Sequence, residues 1–144
     1  MVRSLRTAIL VWLSLVGAAC NSKQAVGAPD PSAVLEAIPA ADSAQYQNIQ
    51  EMKKWRNPYL IVRADGVTLY DAADNAEILL KTDEVLAALG KLPAANWPYG
   101  RVVAAAESND RKTEQDAVAI RRNKGIVGGI LQGAHVAVKW VPAG

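Results

Sequence analysis

Apolar and polar residues follow one another along this chain in short blocks, and the period of each block predicts an element. Asp42 and Ser43 are suited to cap a helix, and Tyr46, Ile49 and Met52 then recur every third residue. That spacing predicts a helix that must end before Pro58. Tyr59 to Arg63 is rich in β-branched and aromatic side chains and predicts a strand. Asp65-Gly66 predicts a hairpin turn, because glycine takes a positive φ without steric cost, and Val67 to Tyr70 is the returning strand. Asp71 to Ala76 reads as a loop, and Ile78 to Leu80 as a third short strand.

Thr82 or Asp83 is placed to cap the next helix, which carries Val85, Leu86, Leu89 and Leu92 on one face and stops at Pro93. A loop follows from Ala94 to Gly100. Arg101 to Ala106 is a small-residue apolar run suited to a central strand covered on both faces. Ser108 to Glu114 is polar. A long helix is expected from about Glu114 to Gln132, with Ala117, Ile120, Val127, Ile130 and Leu131 inward. Gly125, Gly128 and Gly129 each weaken it by up to about 1 kcal/mol relative to Ala. They imply either close packing of its backbone on the sheet or a break near Gly128-Gly129. Gly133 is a natural C-cap, and His135 to Val141 is the last strand.

The order is a helix and then β-β-(β)-α-β-α-β. It predicts a mixed sheet of four or five strands with the two later helices on one face, a two-layer α/β sandwich. The expected division of the chain is a leader over residues 1–19, a tether over 20–45 and one domain over 46–142. The tether is rich in Ala, Pro and Ser, and Pro29, Pro31 and Pro39 interrupt regular structure, although Val34 to Ile38 could form a turn of helix.

The leader carries the sharpest signal. Arg3 and Arg6 precede an uncharged run from Thr7 to Ala19, and Cys20, the single cysteine of the chain, stands where that run ends. A positive start, an apolar middle and small residues before the break describe a secretory signal peptide. The run is shorter than the roughly 20 apolar residues of a spanning helix. Cys20 at the break resembles the lipobox of bacterial lipoproteins, with Ala18 and Ala19 in keeping and Gly17 standing where Leu is usual. The resemblance implies a mature chain that begins at Cys20, with a thioether to diacylglycerol and an amine-linked acyl chain such as palmitate. Two such signals hold a protein stably at a membrane where one does not. Ordinary cleavage after Ala28, or an uncleaved anchor, are the alternatives.

Losing the leader changes the charge. The whole chain has 16 Lys and Arg against 14 Asp and Glu, and without Arg3 and Arg6 the two signs balance. A neutral mature chain argues against nucleic acid as a partner. With no second cysteine, disulfides and cysteine-based metal sites are excluded.

The folded part resembles the periplasmic domain of the ExbD/TolR family, accessory subunits of proton-driven envelope motors. The likeness rests on Leu60 to Tyr70, on the Thr82-to-Leu92 helix and on the closing strand from Val136 to Val141. Pro98 to Val103 also matches a stretch which in that family opens a helix. Here it is read as the approach to a strand. No carboxylate lies before Asp30, so the family's membrane helix with its proton-carrying Asp has no counterpart. The resemblance implies the domain shape and, with it, self-association or cell-wall contact. It does not imply motor activity.

Chemistry is sparse. His135 is the only histidine, and a catalytic base needs a positioned partner. It reads as a strand-edge or helix-end residue. Asp83 with Glu107 is the pair of carboxylates that an enzyme could use. Asp71, Asp74, Asn75 and Glu77 share one stretch but lack the spacing of a calcium loop, so they read as a solvated turn. No catalytic motif occurs, and neither a metal nor a cofactor is implied.

Trp97, Tyr99 and Arg101 form the candidate contact surface, since aromatics and Arg are enriched where proteins grip partners. Covering one end of the core is their other reading. Two basic clusters could meet phosphates or an acidic partner: Lys53, Lys54 and Arg56, and then Arg121, Arg122 and Lys124. Both also suit a solvated face balanced by nearby acids.

The expectation is therefore a non-catalytic lipoprotein of the cell envelope, anchored to a bacterial membrane on its periplasmic or cell-surface side. Its domain would contact an envelope protein or peptidoglycan and could form a homodimer through a sheet edge. The alternatives are a periplasmic small-ligand-binding protein, with a pocket between the Trp97 loop and the Ser108–Glu114 loop, and a small hydrolase.

Overall fold

The computed structural model describes residues 27–143. The leader, Cys20 and the first residues of the tether lie outside them.

Five strands form one mixed sheet: β1 (Tyr59–Val62), β2 (Val67–Asp71), β3 (Ala76–Leu80), β4 (Val102–Glu107) and β5 (Ala137–Trp140). Their spatial order is β3-β2-β1-β4-β5. The first three form an antiparallel meander, and β4 lies parallel to both β1 and β5. Among the described residues, four α-helices complete the fold: α1 (Pro31–Glu36), α2 (Ser43–Tyr46), α3 (Val85–Gly90) and α4 (Glu114–Gly133). This is the mixed-sheet α/β sandwich that the element order predicts. No helix among the described residues is long and apolar enough to cross a membrane.

The alternation of side chains along each strand builds two unequal layers. On one face Leu60, Val67, Leu69, Val103 and Ala105 meet Leu35 of α1, Val85 and Leu89 of α3, and Val127 and Leu131 of α4. On the other face Val102 and Ala104 meet Trp55, with Tyr46, Ile49, Met52 and Tyr99 packed around it. β4 is thus buried on both sides along Val102 to Ala106, as its small apolar residues predict.

Three expectations are corrected by this packing. The first is the tether. Its Ala/Pro-rich composition suggests a mobile spacer up to residue 45, yet from Asp30 onward the chain belongs to the domain. Asp30 caps α1 through a bond from Ser32 N at 3.0 Å, Pro31 opens the helix where its missing N–H costs nothing, and Leu35 and Ile38 enter the core. Burying two such side chains contributes about 1.5–3 kcal/mol each. Arg101 N then donates to Pro39 O at 2.8 Å, and Asp42 N to Tyr99 O at 3.2 Å, which straps the segment to the start of β4.

The second is the helix expected to be capped at Asp42-Ser43 and to end before Pro58. Asp42 does cap α2, accepting from Ala44 N at 3.1 Å, but the helix is four residues long. The strict spacing of three between Tyr46, Ile49, Met52 and Trp55 is realised as tight turns, Ile49 N to Tyr46 O and Trp55 N to Met52 O, both at 3.0 Å. A period of three matches that winding better than the 3.6 of an α-helix. Lys139 Nζ of β5 takes the Tyr46 and Ile49 carbonyls that a continuing helix would use.

The third concerns the glycines of α4. The helix runs unbroken through Gly133, and a Cβ at Gly125, Gly128 or Gly129 would meet nothing within 4 Å. They face open space and do not pack on the sheet. Gly133 is not the cap either. The left-handed residue that ends the helix is His135, at φ 55°. His135 N donates to Gln132 O at 3.1 Å and Val136 N to Leu131 O at 2.9 Å, the paired bonds of a Schellman motif, with Val136 and Leu131 together in the core.

A 3-10 turn over Thr82–Glu84 leads into α3, and Lys81, one residue before the expected Thr82 or Asp83, stands at its N-cap. Lys81 N donates to the Glu84 carboxylate at 2.8 Å.

Candidate functional site

The segment from Asp42 to Lys54 covers the second face of the sheet over β4 and β5 and reaches Tyr59 at the start of β1. Its attachment is specific. Trp55 lies edge-on to Tyr46, ring centroids 5.8 Å apart, and 5.2 Å from Tyr99, while Lys139 Nζ stands 5.8 Å from the Trp55 ring. Beyond Trp55 the cover stops, and the same face around Ile61 and Tyr70 is only half-buried.

There a groove of about 280 Å³ runs between the cover and the meander, lined by Met52, Trp55, Tyr59, Ile61, Tyr70 and Glu77. The strand register explains its lining. Tyr59 stands opposite Tyr70 across the β1–β2 pair, and Tyr70 opposite Glu77 across β2–β3, so two aromatic rings and a carboxylate share one face. Partial burial pushes the Tyr59 hydroxyl above its ordinary pKa, because the phenolate is poorly solvated there. The groove offers flat rings, an aliphatic floor at Ile61 and polar groups at its rim, a composition that suits grip on a partner.

A second, polar concavity of about 270 Å³ lies at the carboxyl ends of β1 and β4 on the helical side, lined by Arg63, Asp65, Ser108, Asp110, Lys112 and Asp116. Its groups are largely committed to one another. Arg63 Nε pairs with Asp65 at 3.1 Å. The Asp116 carboxylate accepts from Thr113 N at 2.8 Å and Lys112 N at 3.0 Å, and the Thr113 bonds hold its pKa below the ordinary value.

The residues expected to form a contact surface are not brought together. Trp97 is 3% exposed and lies in the core, which corrects its reading as a surface anchor. Its neighbours make a latch. Tyr99 N donates to Asn57 Oδ1 at 3.0 Å, and Asn57 Nδ2 donates to Gly100 O at 2.8 Å and Val102 O at 2.7 Å. Gly100 takes φ 79°, and a Cβ there would stand 2.4 Å from Ala40 O, so the strap and this turn fit only because position 100 is glycine. Arg101 is half-buried beside Ala40. On α4, Arg121 reaches Glu114 at 3.4 Å and Arg122 is exposed. Lys124 pairs with Glu107 at 2.8 Å and lies 4.5 Å from the Trp140 ring. In the other basic cluster, Lys53 and Lys54 both pair with Glu51.

The candidate acid–base groups are also separated. The two oxygens of Glu107 are taken by Lys124 and by Arg111, and the Lys124 bond above all holds its carboxyl below the usual carboxylate range. Asp83 is exposed on the turn before α3. His135 precedes β5 at the amino end of the parallel strands, whereas Glu107 closes β4 at the other end, about 20 Å away at strand rise. His135 instead faces Glu36, Nδ1 to Oε1 3.6 Å. The expected pocket between the Trp97 loop and the Ser108–Glu114 loop is corrected on the same ground, since the length of β4 lies between them.

Asp71 is buried and accepts both bonds of Asn96 Nδ2, at 3.0 and 2.9 Å. It ties the meander to the loop before β4 and is not part of a solvated turn. Among the described residues, no group of three or more His, Cys, Asp or Glu side chains is placed to hold a metal ion.

Reading the sequence missed Asn57 and the open groove. The signal for the groove is present: Tyr59, Leu60, Ile61 and Val62 are apolar on both sides of a strand in an antiparallel meander, where one face is commonly polar. Comparison of the chain with protein-family models, with curated proteins and with solved structures gives no match.

Proposed function

We propose that this protein is a lipid-anchored component of the bacterial cell envelope whose domain is a non-catalytic binding module. Cys20 is its anchor, and the open face of β1 and β2 is its contact surface for an envelope protein or peptidoglycan. The observation that carries the reading is the half-covered sheet, with half-buried Met52, Tyr59, Ile61 and Tyr70 and the edge of buried Trp55 around one groove. An apolar and aromatic face left open beside a covered one is the usual mark of a surface that is completed by a partner. Both partner classes suit it, because rings stack on sugars as readily as on peptides.

The test is photo-crosslinking in the native host, with the reactive group placed at Ile61 in the full chain and, as a control, at Val118 on α4. A discrete adduct with one envelope protein or with peptidoglycan fragments, formed from Ile61 and absent from Val118, is expected. No adduct from Ile61, or the same adducts from both positions, contradicts the proposal.

A further inference from the structure

Among the described residues, β3 is an outer strand of the sheet and pairs with β2 alone. Outer strands are normally blunted by charge, proline or a bulge against pairing with another chain. β3 has none of these at its centre. It carries Ile78, 49% exposed, and Leu79, 57% exposed, with Glu77 on one side and Lys81 on the other. Lys81 has extended backbone, φ −72° and ψ 160°, so it continues the alternation of the strand. Glu77, Leu79 and Lys81 then lie on the open face, with Tyr70 and Thr68 across the register, while Ile78 and Leu80 lie on the helical face with Leu69 and Val67.

We propose that β3 pairs antiparallel with β3 of a second copy of this chain, about a two-fold axis through Leu79. In that register Leu79 meets Leu79, Ile78 meets Leu80, and Glu77 meets Lys81 of the second copy, twice by symmetry. Opposite charges set directly across an antiparallel pair are favourable. The neighbouring registers that keep both helical layers on one side lack this match. An axis at Ile78 sets Glu77 against Leu79, and an axis at Leu80 sets Glu77 against Asp83. The charge pattern therefore selects one register, and the two apolar side chains supply the buried area. The joined edges make one continuous sheet whose two open faces lie side by side, and Glu77, at the rim of the groove, gains Lys81 of the second copy as a partner. The pairing is independent of the partner proposed above and is tested without it.

The experiment is oxidative cross-linking of the full chain carrying Leu79→Cys, with Val118→Cys on exposed α4 as the control and Cys20 present in both. Residues directly opposite across an antiparallel pair have Cα atoms about 4.5–5.5 Å apart, within the span of a disulfide. A disulfide-linked dimer from Leu79→Cys well above the Val118→Cys level is expected. Adding Glu77→Lys or Lys81→Glu alone should lower the dimer yield about tenfold, since like charges then face each other twice, and adding both should restore it. Equal cross-linking from the two cysteine positions, unaffected single reversals, or a double reversal that fails to restore the dimer would each overturn the proposal.

Discussion

Asn57 Nδ2 donates to the carbonyl oxygen of Gly100 at 2.8 Å, across 43 residues of chain. With its bonds to Val102 O and from Tyr99 N, this buried amide fixes the turn that enters β4 and the strap packed against it. A typical hydrogen bond contributes about 1 kcal/mol net, and buried groups left unpaired cost more. Asn57→Ala should therefore destabilise the protein by about 3 kcal/mol in urea unfolding. Asn57→Asp should cost at least as much at neutral pH, because a carboxylate can only accept and would face two carbonyl oxygens. A loss below about 1 kcal/mol for either variant would remove the latch from the account.

Leu35 is fully buried although it lies between Pro31 and Pro39 in a stretch with the composition of a linker. Leu35→Ala should behave as a core truncation and cost about 2–5 kcal/mol. A variant within experimental error of the parent would return residues 30–41 to the role of a spacer.

The helical glycines and His135 offer gains in stability. Gly125→Ala and Gly129→Ala add a methyl group where nothing lies within 4 Å, and each should stabilise by up to about 1 kcal/mol. His135→Gly relieves a left-handed backbone whose cost for L-residues is about 1–2 kcal/mol. Part of that gain is returned through the greater freedom of glycine in the unfolded chain. The contact with Glu36 that is lost is exposed on both sides and contributes little. All three variants should raise the thermal midpoint. A fall in any of them would show a packing role that the open surroundings do not suggest.

Glu107 links stability to pH. Its folded pKa lies below the ordinary value of 4.5, first through the Lys124 bond and then through the Arg111 charge. The native state therefore favours the ionised form. The contribution is complete above the ordinary value and is lost as pH falls through the lowered folded value. The unfolding midpoints of the parent and of Glu107→Gln should differ at pH 7 and converge in acid below the ordinary pKa. A gap that stays constant down to pH 3 would contradict this linkage.

The meander, β4 and α4 are legible in the sequence because each carries a strong local signal: β-branched and aromatic runs on either side of Asp65-Gly66, a small apolar run at Val102 to Ala106, and a 3.6 repeat through Ile120, Val127 and Leu131. The segments read least well are those whose structure is set from a distance. Leu35 is one apolar residue among prolines, and its burial depends on α3 and α4 being in place. Tyr46, Ile49 and Met52 carry a repeat that fits either winding until Lys139, some 90 residues later, takes the carbonyls. Trp97 and Asp71 look like loop residues because their partners, the core and Asn96, are remote in sequence. The groove was hidden for a related reason. The strand pattern shows that both faces of β1 are apolar, but not where the cover from Asp42 to Lys54 ends.

The envelope role proposed above rests on Cys20 as the lipid anchor. The direct measurement is the intact mass of the protein purified from membranes of its native host, with fragmentation of its first residues. A chain that begins at Cys20 and carries diacylglycerol with an amine-linked acyl group is the predicted result. A soluble chain that retains Met1 and an unmodified Cys20 would contradict the envelope role.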